Sequence, residues 1–341
     1  MARKKSRVFT RAGLVREELA PFLVGLEPLL ATFFPNRLVV LYAHLYPDKD
    51  GHFDREGIQD TLQYLADECR VLPLPEALKR LEEGKGLPRR AVAIIVDDAT
   101  QKFFQFGHGL LSASGLPYTL AVVPGLIQGG GKEHLLARLM RIAGHPYWLP
   151  NQEMLERVLA WFGDEDSRER ASFDTVFSKA SALAEDALGE LLEHIRALDH
   201  QFMTWEELKE VQTRDEVHFA SHSMSHPQMR FAIRGWLEWE LARSKALLEE
   251  NLEVGVQSFV VPYGHPRQLT PAVSQALVKS GYRYAFLTRK GTVGTGTMRY
   301  TMPRLALEDE PWRLRVHTCP AVCSLIYPTR KGGEHMVGVA G

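Results

Sequence analysis

The stretch Ala91-Val-Ala-Ile-Ile-Val-Asp-Asp98 decides the fold of this chain, because six apolar residues run without a break and two carboxylates follow at once. A continuous apolar run of this length is typical of a parallel strand that is buried on both faces. The two carboxylates would then lie at the carboxyl end of that strand. In parallel barrels and doubly wound sheets, this is the edge at which active sites form.

Further short apolar runs lie on either side, and helical patterns separate them. Strands that alternate with helices along a chain predict an α/β fold with a parallel sheet. The other predicted strands are residues 37–44, 117–124, 217–220, 258–261 and 284–287.

Residues that can bind a metal ion or move a proton follow four of these predicted strands. They are His44, Asp97, Asp98, His222, His226 and Tyr263. Loops at the carboxyl ends of parallel strands build the active site of a barrel. If the strands form one barrel, we therefore expect these groups to meet at one mouth.

The residue types fit a mononuclear metal centre. Catalytic zinc typically takes three protein ligands and leaves one position for water. Two imidazoles and one carboxylate meet that need, and His222 and His226 face the same side if they lie on a helical turn. Asp97 and Asp98 point in different directions from a strand end. One of them can bind the metal while the other acts as base on the metal-bound water, whose pKa falls to roughly 7.

Short motifs around these residues resemble those of the polysaccharide deacetylase family. Ile95-Val-Asp-Asp-Ala99 is similar to the family's Thr-Phe-Asp-Asp-Gly, and His222-Ser-Met-Ser-His226 to its His-Ser/Thr-x-x-His. Val261-Pro-Tyr-Gly264 is similar to Tyr-Pro-Tyr-Gly, and Glu240-Leu-Ala-Arg-Ser-Lys245 to a Glu-Leu-x-x-Ser-Lys helix. The resemblance spans about residues 38–307. It implies a distorted (β/α) barrel with fewer than eight strands and the hydrolytic removal of N- or O-acetyl groups from sugars.

Position by position, the resemblance implies a role for each site residue. Asp98, His222 and His226 would hold one divalent metal ion, for which we expect zinc. Asp97 would be the catalytic base. The backbone N–H of Tyr263 would help to bind the oxyanion, where preorganised donors matter most.

The early segment Leu41-Tyr-Ala-His44 resembles a Tyr-x-His segment of the branch that includes exopolysaccharide deacetylases. In that branch the histidine is catalytic, which makes His44 the candidate general acid that protonates the leaving amine. The alternative is that His44 is an ordinary polar residue at a strand end.

The sequence departs from the family pattern at three places. Ala99 stands where a Gly is usual, and its Cβ would crowd a tight turn if the position needs a positive φ. Val96 replaces the usual Phe. The Arg often found in the third motif is missing, and Arg304 is our candidate to pair with Asp97 instead, either in catalysis or as a structural ion pair. These changes leave open a protein with a decayed site.

The alternation of strands and helices stops at about residues 132–200, where the sequence is charged and helical. We expect a helical insertion that lies outside the barrel, near its mouth or at a subunit contact. The sequence predicts three parts: an N-terminal helical extension at residues 1–36, the deacetylase barrel at residues 37–330, and a flexible tail at residues 331–341. Residues 20–34 are too short for the roughly 20 residues of a membrane span. They favour a helix that packs on the domain or contacts a partner, with an uncleaved anchor as the weaker alternative.

Composition narrows the partners and the compartment. Forty-one basic residues against 42 acidic ones give a formal net charge of -1, so we expect no nucleic-acid partner. Three cysteines do not describe a disulfide framework. Without a clear signal peptide, the expected location is cytoplasmic. The sequence leaves a homo-oligomer open.

Taken together, the sequence predicts a metal-dependent hydrolase whose substrate is an acetylated amino sugar or a polysaccharide. Two alternatives remain at this point. One is an enzyme that hydrolyses a small non-sugar amide, and the other is a catalytically decayed carbohydrate-binding protein.

Overall fold

The computed structural model describes residues 19–48, 50–127, 131–143, 152–163, 173–195, 202–232, 234–308 and 310–328. Within these residues, all the strands belong to one sheet and every strand pairing is parallel. The strands are β1 (Val39–Ala43), β2 (Arg70–Val71), β3 (Ala91–Val96), β4 (Tyr118–Val122), β5 (Val217–Ser221), β6 (Ser258–Val260), β7 (Tyr284–Leu287), β8 (Met302–Pro303) and β9 (Leu305–Ala306).

The sheet curves until its two ends meet, in the order β8-β7-β6-β5-β4-β3-β1-β9, with β2 paired to β3 off this path. The predicted parallel barrel is therefore confirmed. Only Arg304 separates β8 from β9, so one extended segment bonds to both edges. Its Arg304 N–H donates to the carbonyl of Leu287, and its Leu307 N–H to the carbonyl of Tyr42. The path holds eight strands rather than fewer because this segment is split in two.

The helices lie between and around the strands. Two π-helical turns, Phe103–Gly107 and Trp239–Arg243, run directly into the helices His108–Ser114 and Ser244–Leu252. The helices are α1 (Ala20–Gly25), α2 (Glu27–Phe33), α3 (Arg55–Glu68), α4 (Leu74–Glu82), α5 (His108–Ser114), α6 (Gly131–Ala143), α7 (Gln152–Trp161), α8 (Phe173–Ala182), α9 (Glu185–Ile195), α10 (Trp205–Gln212), α11 (Arg234–Glu238), α12 (Ser244–Leu252), α13 (Pro271–Lys279), α14 (Pro311–His317) and α15 (Pro320–Ile326).

The six longer strands, β1 and β3 to β7, each contribute to two apolar clusters, because successive side chains of a strand point to opposite faces. In β3, Val92, Ile94 and Val96 belong to the larger cluster, which includes helix residues of α3, α5 and α12. The alternate residues, among them Ala93 and Ile95, belong to the second cluster with the other strands. All six residues of β3 are buried, as expected for a strand covered on both faces.

Four helices, α6 to α9, occupy the region that interrupts the alternation of strands and helices. They share an apolar cluster of their own, which includes Leu139, Leu155, Val158 and Leu191 together with Trp236 of α11. No strand lies within 131–143, 152–163 or 173–195. The exact domain boundaries stay a prediction, and the predicted tail at 331–341 lies outside the described residues.

The N-terminal helices α1 and α2 pack on α14 and α15. Leu23, Val24 and Leu30 contact a cluster of Val316, Cys319 and Val322. In the part of the chain that the structure describes, no helix is both long and apolar enough to cross a membrane.

Candidate metal centre and active site

The turn after β3 gives Asp97 and Asp98 different partners. Asp97 is buried and its N–H donates to the carbonyl of Ala43 on the neighbouring strand. Asp98 and Ala99 both have left-handed backbone conformations, with φ of 76° and 52°. A non-Gly residue costs about 1–2 kcal/mol in this region. Ala99 therefore occupies, with strain, a position that suits the glycine usual in the family.

Asp98, His222 and His226 form a compact triangle of ligand atoms. Asp98 Oδ1 lies 3.6 Å from His222 Nε2 and 3.5 Å from His226 Nε2, and all three ligand atoms lie within 4.8 Å of one another. Ligand atoms around a tetrahedral zinc with bonds of about 2.0–2.1 Å stand about 3.4 Å apart. The donor set and its spacing fit one divalent ion.

His222 has the tautomer that a metal ligand needs. Its Nδ1 lies 2.7 Å from the carbonyl oxygen of Val260 and donates to it, so the lone pair is on Nε2, which faces Asp98. The ring is buried, and this burial lowers the pKa of His222, although the carboxylates of Asp97 and Asp98 oppose the shift. The neutral imidazole is the form that binds metals.

His226 is held by a cation from the helical region. Arg141 of α6 donates from Nη1 to His226 Nδ1 at 2.5 Å and to the His226 carbonyl at 3.0 Å. Burial lowers the pKa of His226 well below its ordinary value, and the Arg141 and His222 charges lower it further. Because Nδ1 accepts a hydrogen bond from Arg141, the neutral ring carries its proton on Nε2, towards Asp98. A neutral ring that binds a metal through Nε2 carries its proton on Nδ1, so metal binding here requires that the ring change tautomer and give up its Nδ1 contact with Arg141.

The loop that carries the two histidines is fixed by Glu240, which is fully buried. Glu240 Oε2 accepts from the N–H of Met224 at 2.8 Å and of Ser225 at 3.0 Å, and Oε1 accepts from the Ser225 hydroxyl at 2.5 Å. Burial raises the pKa of Glu240 to about 7, against the effect of these donors. The carboxyl group therefore fixes the backbone of the loop between His222 and His226.

Two more residues of the Glu-Leu-Ala-Arg-Ser-Lys stretch tie its helix to the barrel. The Ser244 hydroxyl lies 2.9 Å from the Ser221 hydroxyl at the end of β5. Lys245 Nζ donates to the carbonyl of Val256 at 2.7 Å, just before β6. The stretch therefore aligns the two strands whose ends hold His222 and Tyr263.

Arg304 forms the predicted pair with Asp97, and this prediction is confirmed. Arg304 Nη1 donates to Asp97 Oδ1 at 2.7 Å, and the two side chains are 1% and 7% exposed. Burial alone would raise the pKa of Asp97, but the charges of Arg304, His222 and His44 outweigh it and hold the pKa below its ordinary value. Asp97 is thus a carboxylate at neutral pH.

His44 lies at the same mouth. Its Nε2 is 3.6 Å from Asp98 Oδ2, its side chain is half exposed, and its ring packs edge-on against Tyr46. Tyr46 hydrogen-bonds to Asp98, and burial together with the carboxylates of Asp98 and Asp97 raises the pKa of Tyr46 to about 12. His44 is not one of the three residues whose ligand atoms cluster, so its ring is placed beside the metal triangle rather than in it.

Tyr263 lies at the edge of the site, where it contacts His226. Its ring packs against the His226 ring with centroids 4.6 Å apart, and its hydroxyl accepts from Arg141 at 3.3 Å. Tyr263 has a left-handed φ of 60° and Gly264 one of 62°. A Cβ on Gly264 would lie 2.2 Å from Thr288 Cγ2, so the tight turn that presents the Tyr263 backbone needs glycine next to it.

A cavity of about 350 Å³ opens beside His44. Aromatic and apolar groups form its walls, including Tyr42, Tyr46 and Leu307, and two carboxylates line it, Asp54 and Glu308. Its volume lies at the lower end of the range of about 300–1,000 Å³ that is typical of small-molecule sites. The cavity and the metal triangle share neighbours, because His44 and Tyr46, which line the cavity, also lie against Asp98.

Comparison with known protein families shows to which family the chain belongs. A model of the polysaccharide deacetylase family matches residues 84–285, which is more than half of the chain. The chain belongs to the polysaccharide deacetylase family. Members act on carbohydrate substrates, typically with a metal ion. This chain is a polysaccharide deacetylase-like hydrolase that acts on non-peptide carbon–nitrogen bonds.

Solved structures of other deacetylases share the fold. The deacetylase PplD of Streptococcus pyogenes, in complex with acetate, is 14% identical with a TM-score of 0.57, and the match covers 84% of this chain and 99% of that chain. IcaB of Ammonifex degensii is 17% identical with a TM-score of 0.53, and the match covers 84% and 97%. The deacetylase domain of BpsB from Bordetella bronchiseptica is 16% identical with a TM-score of 0.51, and the match covers 79% and 95%. A comparison with curated protein sequences gives no match.

The structure brings together every site residue that the sequence singled out, but it also adds groups that were missed. Arg141 and Tyr46 touch predicted ligands, and the Val260 carbonyl orients His222. Arg141 lies far from the motifs in sequence, on a helix outside the barrel. Tyr46 lies only two residues after His44, and an aromatic residue next to a candidate acid was the one available signal.

Proposed function

We propose that this family member is a metal-dependent N-deacetylase that acts on an acetylated amino sugar within an oligosaccharide or polysaccharide, with zinc as the metal. The observation that best supports this proposal is the triangle of Asp98, His222 and His226 beside the buried carboxylate Asp97. Asp98 lies near 3.5 Å from each histidine nitrogen, and three such ligands leave room for a fourth at a tetrahedral ion. An ion bound there would polarise the substrate carbonyl and make water acidic enough to attack near neutral pH.

Asp97 is the proposed base. Its carboxylate is kept ionised by Arg304 and is too buried to titrate freely in bulk water. It therefore accepts a proton from the attacking water, and Arg304 holds Oδ1 so that Oδ2 remains for this task. The tetrahedral intermediate carries negative charge on the former carbonyl oxygen, and the backbone N–H of Tyr263 is the proposed donor to that oxygen.

His44 is the proposed acid. An amine leaves poorly unless it is protonated, and Asp97 is already engaged on the water side. Imidazole titrates near neutral pH and can supply this proton. His44 stands at the border between the metal triangle and the cavity beside it, so a sugar in the cavity would place its nitrogen within reach of the ring.

The cavity favours a sugar over a purely apolar amide. Tyr42 and Tyr46 offer ring faces against which a pyranose can pack, while Asp54 and Glu308 offer acceptors for hydroxyl groups. The two carboxylates also disfavour a substrate whose neighbouring units are anionic. A neutral or partly deacetylated amino-sugar oligomer matches this lining.

Acetate release from a substrate panel tests the proposal. The zinc-loaded full chain is incubated with N-acetylglucosamine, its oligomers, an O-acetylated oligosaccharide and small non-sugar acetamides, and Asp97→Asn serves as the control. We expect the N-acetylated oligomers to have the highest kcat/KM and the control to release no acetate. Fastest turnover of a non-sugar acetamide would overturn the sugar assignment. Binding of oligomers without acetate release at any metal content would indicate a decayed carbohydrate-binding protein.

A further inference from the structure

A second cavity, of about 170 Å³, lies at the amino-terminal ends of the strands, whereas the metal triangle lies at their carboxyl ends. It is bounded by α2, by the segments that precede β1 and β3, and by the first residues of α15. Among the described residues, its charged lining consists of Arg37, Arg89, Arg90 and one carboxylate, Glu27. We refer to this cavity as the arginine pocket. It shares no residue with the metal triangle or with the cavity beside His44.

The register of the sheet sets two of these arginines side by side. β1 and β3 are neighbouring parallel strands in which Val39 pairs with Val92. Arg37 and Arg90 each lie two residues before these partners, so the same register, continued, places them opposite each other. Neighbouring strands are about 4.7–4.9 Å apart. Two positively charged side chains therefore leave the backbone next to each other, and their charges repel unless an anion lies between them.

Two of the three arginines have a carboxylate partner. Arg89 forms an ion pair with Glu27, which is only 2% exposed. Arg90 Nη1 donates to Glu68 Oε2 at 2.8 Å and to the Glu68 carbonyl at 3.3 Å. A guanidinium group has five N–H donors. Each of these arginines therefore keeps donors for a further acceptor.

Arg37 has no such partner. In the part of the chain that the structure describes, its guanidinium donates no hydrogen bond and forms no ion pair. The side chain is partly buried and lies against Gly294, where a Cβ would be 2.6 Å from Arg37 Nη1. Removing a charge from water without a partner costs free energy. The arginine pocket therefore contains a cation that a bound anion would neutralise.

Charge and size together define the ligand. Three positive groups and one negative group give the lining a net charge of +2, which a dianion balances. Arginine suits phosphate because its planar fork can donate two parallel N–H bonds. The volume is below the roughly 300–1,000 Å³ of typical small-molecule sites, and Phe34, Leu87 and Pro320 add an apolar wall. We propose that the arginine pocket binds a phosphate group, either as inorganic phosphate or as the monoester of a small molecule.

A phosphate bound in the pocket would link elements that are otherwise joined only through the sheet and one ion pair. Arg37 leads into β1 and Arg90 into β3, so donors from two neighbouring strands would meet on one ligand. Arg89, which pairs with Glu27, would add α2 to the same contact. A ligand that binds only the folded chain stabilises it in proportion to the logarithm of its concentration. Neither the metal ion nor the acetylated substrate takes part, so this site is independent of the proposed deacetylase reaction.

Isothermal titration calorimetry of the full chain tests the proposal, with inorganic phosphate and glycerol 3-phosphate as the two probes. The protein is first stripped of metal, so that phosphate cannot bind through an ion at the metal triangle. We expect one equivalent to bind to wild type. Arg37→Met should weaken binding at least tenfold, since a hydrogen bond to a charged group contributes more than one tenfold step. Without phosphate this variant should unfold at the wild-type temperature, because Arg37 has no partner to lose, and added phosphate should raise the unfolding temperature of wild type more.

Arg214→Met is the matched control. Arg214 is exposed and lies three residues before β5, at the same end of the barrel strands. This variant should bind both probes as wild type does. Arg37→Lys keeps the charge but loses the planar fork, so its affinity should lie between those of wild type and Arg37→Met.

The two probes distinguish the sources of the phosphate group. Tighter binding of glycerol 3-phosphate would identify a phosphate ester as the ligand, and tighter binding of inorganic phosphate would identify the free ion. The proposal would be overturned if wild type bound neither probe at about 5 mM, which lies above the Kd of even weak specific binding. Unchanged affinity in Arg37→Met, or an equal loss in Arg214→Met, would overturn it as well.

Discussion

Replacing Arg304 with Met removes the only guanidinium that pairs with Asp97 among the described residues. Both side chains are buried, and the bond between them is 2.7 Å long. Breaking a buried pair by removing one partner costs about 3–5 kcal/mol, because the other charge stays buried without compensation. Typical domains have a total stability of about 5–15 kcal/mol. We therefore expect Arg304→Met to lose about a fifth or more of the free energy of unfolding, measured by urea unfolding at pH 7.

The same substitution should move the pH dependence of turnover. Arg304 lowers the pKa of Asp97, so its removal raises that pKa and shifts the acid limb of the kcat/KM profile to higher pH. In wild type, the stabilising contribution of Asp97 is present above its unfolded pKa of about 3.9 and is lost as the pH falls through its lower folded pKa. The stability difference between wild type and Arg304→Met should therefore shrink in acid.

Arg304→Lys is the control, since it keeps a positive charge but loses the planar guanidinium. It should shift the acid limb less than Arg304→Met does. The reasoning would be refuted if Arg304→Met unfolded within about 0.5 kcal/mol of wild type, the range of neutral surface substitutions, and kept the wild-type acid limb.

Three further substitutions test individual site residues. Asp97→Asn should abolish acetate release but leave zinc bound, and near-wild-type turnover would exclude Asp97 as the base. His44→Ala should lower kcat by about 10²–10⁴-fold, the usual contribution of a general acid, with zinc content unchanged; loss of zinc would instead make His44 a ligand. Arg141→Met removes the donor to His226 Nδ1 and one positive charge near the ion. Chelator competition should therefore show that zinc binds about tenfold more tightly, a difference in binding free energy of about one hydrogen bond to a charged group. Weaker zinc binding would show that Arg141 supports the site rather than competes with the metal.

The barrel was predictable from sequence wherever a strand formed a continuous apolar run. β3 and β7 begin and end at the predicted residues because nothing polar interrupts them. β2, β8 and β9 have two residues each, too few for any periodicity. The closure of the barrel at Arg304 was therefore not visible, although Arg304 itself was singled out as a partner of Asp97.

The site residues were predictable because they follow strands and carry rare combinations of side chains. Their environment was not predictable, since it comes from contacts between segments far apart in sequence. Arg141 reaches His226 across 85 positions, and Glu240 holds the histidine loop from a helix behind it. A sequence pattern shows which groups can bind a metal, while their tautomers and strain depend on packing.

Zinc stoichiometry is the measurement that tests the central claim most directly. The full chain is stripped with a chelator and titrated with zinc, and acetate release from an N-acetylated oligomer is followed in the same samples. The account predicts one equivalent of zinc for wild type, turnover in proportion to bound zinc, and loss of both in His222→Ala, with thermal unfolding confirming that this variant stays folded. Full turnover in the stripped protein, or one equivalent of zinc still bound by a folded His222→Ala variant, would contradict it.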